Sequence, residues 1–158
     1  MPYDRPNAKT PVPDCTSLPD LGRGGRMITQ LLYTSVSRYH RGHPSDIDIL
    51  QHALSHNRPS EITGYLLRDL RSFCQLIEGP EQKVEALFRR ISMDPLHYDV
   101  VTRMRRAVPK RAFLGWSMGY GSLSQKDSDF LSKRFAEGPR GTLVAFNRIG
   151  RLAAGGAA

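Results

Sequence analysis

Between residues 27 and 120 the hydrophobic positions switch repeatedly between a period of two and a helical period, and the order of those switches predicts a fold. In "MITQLLYTS" (27–35) the alternation predicts a strand with Leu31, Tyr33 and Ser35 on one face and Ile28, Gln30, Leu32 and Thr34 on the other. "PSDIDILQHALSHN" (44–57) changes to helical spacing, with Ile47, Leu50, Ala53 and Leu54 on one side. Asn57 extends that stripe, and Ser45 and Asp48 have the spacing of a capping box. "EITGYLLRD" and "RSFCQLIEG" are short β runs that meet at Leu70 and Arg71 and read as a hairpin, with Phe73, Gln75 and Ile77 sharing a face. Past Gly79 and Pro80, "EQKVEALFRRISMD" (81–94) repeats Val84, Leu87, Phe88 and Ile91 as a second amphipathic helix until Pro95 stops it. "YDVVTRMRRAVP" (98–109) and "RAFLGWSMGY" (111–120) read as two more strands, the last with Trp116 and Met118 on one side and Ser117 on the other.

Strand, helix, strand, strand, helix, strand, strand is a split βαβ order, so the fold class is α+β: a ferredoxin-like sandwich with a five-stranded mixed sheet and two helices on one face. "LSQKDSDFLSKRFAE" (123–137) and "GTLVAFNRIGRLAA" (141–154) predict two further helices separated by Gly138, Pro139 and Gly141. These C-terminal helices are expected on the sheet's other face, where Leu32, Cys74 and Leu76 would otherwise leave an apolar patch in water. Residues 1–26, rich in Pro, Gly and Asp and without periodicity, read as a disordered leader, with Met27 as an alternative start. Residues 27–120 form the expected folded domain and 121–158 its helical extension.

A length of 158 residues allows one hydrophobic core, and 39% hydrophobic with 24% charged residues describes a globular chain. No apolar run is long enough to cross a bilayer and residues 1–26 lack a secretory apolar stretch, so a cytoplasmic location without membrane contact is expected. The net charge of +8 is carried by short knots such as "RMRR" and "PKR" on several elements. Without one long basic run this weighs against nucleic acid. Cys15 and Cys74 are too few and too far apart for a zinc site, and both read as plain thiols; no metal is expected.

The informative polar groups are interior ones. Tyr33, Ser35, Phe73, Gln75, Trp116 and Met118 fall on the helix-covered face, Asn57 descends from the first helix, and Arg90 and Asp94 stand at i and i+4 near the end of the second. Buried polar groups cost a few kcal/mol each unless partnered, so this cluster either satisfies itself or holds a ligand with matching donors and acceptors. Gln75 is the oddest member, a carboxamide in mid-strand. It carries donor and acceptor on one planar group, so turning it over reverses its hydrogen-bond pattern without moving charge. Taken singly, each residue has an ordinary packing role, including His56 and His97, and Glu78 and Asp94 read as acids flanking a helix.

Taken jointly, "LLYTS", Asn57, "EITGYLL", "FCQLIEGP", "VEALFRRISMDPLH" and "RAFLGWSMG" resemble, in order and spacing, a BLUF domain, the sensor of blue light using FAD, of the short stand-alone type. The resemblance spans roughly residues 27–120. It implies FAD bound noncovalently, its isoalloxazine ring between two helices. By position it implies that Tyr33 is the photoactive tyrosine, Gln75 the switching carboxamide, and Asn57 the ligand of the flavin's pyrimidine edge. Ser35, Trp116 and Met118 would surround the glutamine, with Phe73 on the same face, and Ile49 and Ile91 would press on the ring from opposite helices. Arg90 and Asp94 would lie near the pyrimidine and ribityl end, with His56 beside Asn57. Blue light would then draw an electron and a proton from Tyr33, and recombination would leave Gln75 rearranged and the spectrum shifted to the red. Leu96 in "DPLH" departs from the family, which often has arginine there, and Cys74 replaces a larger apolar residue.

On this reading the chain is a photosensor, with no acid, base or nucleophile set for turnover. Output is expected through a downstream signalling protein or through self-association as a homo-oligomer. The alternative is a ferredoxin-like RNA-binding module, which needs aromatics on an open sheet face.

Overall fold

A computed structural model describes residues 27–46, 48–49, 55, 61–115 and 117–156. The expected leader (1–26) and the residues Ile47, Leu50, Ala53, Leu54, His56, Asn57 and Trp116 lie outside that set. Five strands form one sheet: β1 (Ile28–Ser37), β2 (Thr63–Arg68), β3 (Ser72–Gly79), β4 (His97–Val108) and β5 (Gly119–Ser122), in spatial order β4-β1-β3-β2-β5. β1 runs antiparallel to both β3 and β4, β2 antiparallel to β3, and the edge strand β5 parallel to β2, so the sheet is mixed as expected. The β2–β3 hairpin closes through Asp69, whose Oδ1 accepts from the amides of Arg71 (2.8 Å) and Ser72 (2.5 Å), a side chain standing in for backbone in the turn.

Residues 44–46, 48, 49 and 55 are helical, within the segment that reads as the first helix. Ser45 does not cap it in the expected way, because its hydroxyl pairs with the His43 ring at 2.8 Å. Helix α1 (Glu81–Ser92) follows Pro80 and buries Val84 against β1 and β3, with Leu87, Phe88 and Ile91 beside it. With Leu31, Tyr33, Leu66, Phe73 and Ile77 from the sheet, these make the core on this face, and Ile49 packs onto it.

The other face is covered by α2 (Gln125–Ala136) and α3 (Pro139–Gly156). Ser124 caps α2 by accepting from the Asp127 amide at 3.1 Å. Pro139, which the sequence suggested as a separator, is instead the first residue of α3, a position where its missing N–H costs nothing. Leu131, Ala145, Ile149 and Ala153 from these helices pack on Leu32, Tyr65, Leu67, Cys74 and Leu76. The apolar patch expected on that face is thereby removed from water, and so is the open surface that base stacking by an RNA-binding module requires.

The fifth strand differs from expectation. Among the described residues, 109–115 and 117–118 lie outside any strand, mostly in turns and bends, and only 119–122 pair with β2. The apolar residues of "RAFLGWSMGY" alternate because they serve two cores: Phe113 is buried on the α2–α3 face, Met118 on the α1 face, and Leu114 points into solvent.

A buried phenol and carboxamide on adjacent strands

Tyr33 and Gln75 are direct cross-strand partners in the β1–β3 register, which brings their side chains together on the α1 face. Both are buried, and the Tyr33 hydroxyl donates to Gln75 Oε1. Gln75 Nε2 in turn donates to Met118 Sδ at 3.3 Å. A carboxamide offers two N–H groups and two carbonyl lone pairs. Among the described residues Gln75 has one bond at each end, which leaves it capacity for a second at each. Burial drives the Tyr33 pKa well above that of an ordinary phenol, with Cys74 and Asp94 nearby adding to the effect. Burial thus favours the neutral, protonated phenol.

The ring of Tyr33 lies 5.5 Å from that of Phe88 on α1 and 6.3 Å, edge on, from His97. His97 Nε2 faces the Ile91 carbonyl oxygen at 2.5 Å, so Nε2 carries the proton and donates. Nδ1 is then free to accept from the Ser35 hydroxyl at 2.7 Å. Ser35 is thus buried on the expected face but spends its hydroxyl on His97, and His97 ties β1 and β4 to the end of α1.

Phe73 is buried beside this pair, and the Arg68 guanidinium stacks over it at 4.4 Å. Arg68 has no exposed surface. It meets Asp46 at 3.3 Å, Ser37 Oγ at 3.1 Å and the Tyr39 carbonyl at 2.6 Å, and so fastens the helical segment that begins at 44 to the sheet. Ile49 and Ile91 are half-buried on the same core; Arg90 is exposed, and Asp94 accepts from the Leu96 amide at 2.9 Å.

Sequence reasoning missed Arg68 and Glu78. Glu78 is completely buried, on the opposite face, where its carboxylate accepts from two backbone amides, Thr63 and Gln30. Neither burial has a signal in the sequence, because a charged residue in a strand looks the same whether its partners are water or distant backbone. A cleft of about 250 Å³ also lies on that opposite face, lined by Cys74, Asp69, Arg103 and Ser128 among others. It falls below the roughly 300–1,000 Å³ typical of small-ligand pockets.

The chain belongs to a family of light sensors: residues 28–119 match the BLUF family, sensors of blue light using FAD. Among curated proteins it is 36% identical over 87 residues to the blue light- and temperature-regulated antirepressor BluF of Escherichia coli. It is 33% identical over 92 residues to the alpha subunit of photoactivated adenylate cyclase of Euglena gracilis. The matches take in 55% and 58% of this chain but only 22% and 9% of those relatives' lengths. Among solved structures, the dark state of the BLUF protein BlrB superposes with a TM-score of 0.66 at 26% identity, covering 80% of this chain and 97% of that one. The photo-activated state of BlsA gives 0.59 at 28% identity, covering 68% and 78%.

The family's flavin fits what is built here. A planar heteroaromatic edge with alternating donors and acceptors is the kind of partner that a buried carboxamide with spare capacity at both ends can satisfy. No helix among the described residues is long and apolar enough to cross a membrane.

Proposed function

We propose that this chain is a blue-light receptor that holds FAD noncovalently between α1 and the helical residues 44–46, 48 and 49, with Tyr33 and Gln75 as its switch. The observation that carries the reading is the buried hydrogen bond from the Tyr33 hydroxyl to Gln75 Oε1, continued from Gln75 Nε2 to Met118 Sδ. FAD, when bound, supplies the absorption of blue light and a reversible acceptor for one electron. Tyr33 would be the donor of that electron, and its hydroxyl proton, directed at Gln75 Oε1, would shift along that hydrogen bond and return with the electron. Gln75 meanwhile turns its carboxamide, exchanging donor for acceptor with no net charge transferred.

Phe73, Ile49 and Ile91 exclude water from the pair, and the hydrogen-bonded Ser35 and His97 hold the Tyr33 ring edge in place. Asn57, His56, Arg90, Asp94 and Trp116 are proposed as further cofactor and switch contacts. Output is proposed to pass to a partner protein or through self-association in the cytoplasm.

The test is to purify the chain with its flavin and record absorption before, during and after blue illumination. A reversible red shift is expected, absent in Gln75→Leu and in Tyr33→Phe. A colourless chain that does not take up FAD, or a shift that survives in Gln75→Leu, overturns the reading.

A further inference from the structure

We infer that Glu78 is a positioning residue for this switch: its buried carboxylate fixes the loop that delivers Met118 to Gln75 and joins that loop to helix α3. The inference rests on the light-sensing reading above. Four donors converge on the Glu78 carboxylate. Oε1 accepts from the Phe113 amide at 2.7 Å and Thr63 Oγ1 at 2.9 Å; Oε2 accepts from the Ala112 amide at 2.9 Å and Gln30 Nε2 at 2.9 Å. Its own carbonyl accepts from Arg111 Nη1 at 3.2 Å. The Glu78 side chain thus holds Ala112 and Phe113, and its backbone carbonyl holds Arg111, at the root of the loop whose far end places Met118 against Gln75.

Register makes the coupling direct. Gln30 pairs with Glu78, and Tyr33 with Gln75, on the same two strands, three residues apart and on opposite faces of the sheet. A movement of β1 against β3 at the phenol–carboxamide pair is felt at the Gln30–Glu78 pair. From there Gln30 Oε1 accepts from Arg106 Nε at 3.0 Å, and the Arg106 guanidinium lies over the Phe146 ring of α3 at 4.7 Å. The loop root and the C-terminal helix are therefore bound to one buried carboxylate.

Only a carboxylate suits this point. It is acceptor-only at both oxygens, whereas glutamine at 78 turns an NH₂ group toward donors that are already N–H or O–H. Backbone amides left facing another donor in a buried site lose their bonds and gain no water.

The experiment uses the flavin-loaded full chain. The wild-type red shift comes first, and its absence defeats the light-sensing reading without touching Glu78. Given a shift, Glu78→Gln is expected to keep the flavin and a Gln75-dependent shift but to return to the dark state about tenfold faster, a rate change equivalent to about 1.4 kcal/mol. Hydrogen exchange at the Ala112 and Phe113 amides should accelerate in the dark as well. If Glu78 only supports the fold, Glu78→Gln melts earlier while dark recovery keeps the wild-type rate, and that result overturns the inference. Should Glu78→Gln not fold, Thr63→Val removes one donor from the same oxygen and is expected to quicken recovery by about threefold; an unchanged rate there overturns it equally.

Discussion

The two faces of the sheet are built from the same strands yet use polar groups in opposite ways. On the α1 face, Tyr33, Ser35 and Gln75 sit side by side, and among the described residues the carboxamide keeps unused bonding capacity at both ends. On the α2–α3 face the interior polar pair is Gln30 and Glu78, and four donors fill the carboxylate. Spare capacity in a buried amide marks a place for a ligand. A saturated carboxylate marks a fastening. The contrast explains why burial alone does not locate the site: Gln30 and Glu78 are as thoroughly buried as Tyr33 and Gln75.

Substitutions that damage one face and spare the other break or sharpen this contrast. The largest effect is expected from Asp46→Ala, which leaves the Arg68 guanidinium buried without its countercharge beside Phe73. Removing one partner of a buried pair costs about 3–5 kcal/mol. The bonds from Arg68 to Ser37 and Tyr39 hold the loss near the lower end, readable as a shift of the urea midpoint, with weakened flavin retention on the same face. Ile149→Ala strikes the opposite face, where Ile149 is 1% exposed, and is expected to cost about 2–4 kcal/mol as a cavity. Its red shift under illumination should match the wild type in wavelength, and a displaced shift would show that the faces are not separable.

The smallest effect belongs to the outer layer. The hydrogen bond from Arg148 to Asp127, at 2.7 Å, is the main cause that holds the Asp127 carboxyl below its usual range. A depressed carboxylate pKa gives stability that is complete above the unfolded value of about 4 and fades as pH falls through the lower folded value. With Arg148 well exposed the pair is screened, so Asp127→Asn should cost less than about 1 kcal/mol at neutral pH. The deficit should vanish in acid, as thermal melts between neutral pH and the acid limb would record.

Much of this was legible in the sequence where a repeating side-chain pattern sets the element. β1, β3, α1 and the C-terminal helices follow their hydrophobic periods, and the face shared by Tyr33 and Gln75 follows from the period of two. The fifth strand was not legible, because its residues, Gly119 to Ser122, have no apolar alternation. Gly121 suits the close approach of β5 to β2: a Cβ there would come within 2.5 Å of the Tyr65 hydroxyl and force that side chain to move. The apolar signal upstream belonged to a loop that crosses between cores. Glu78, Arg68 and the Ser35–His97 bond depend on partners up to 62 residues away, and no local pattern announces them.

Cys74 lies on β3 in the buried core beneath α2 and α3, where burial pushes its thiol up to about 12. Only the thiolate attacks disulfide reagents, and burial makes it scarce at neutral pH while the layer stays shut. In a chain carrying Cys15→Ser, the labelling rate at Cys74 becomes a clock that counts how often the C-terminal helices lift from the sheet, and running it under lamp and in darkness compares those two frequencies directly.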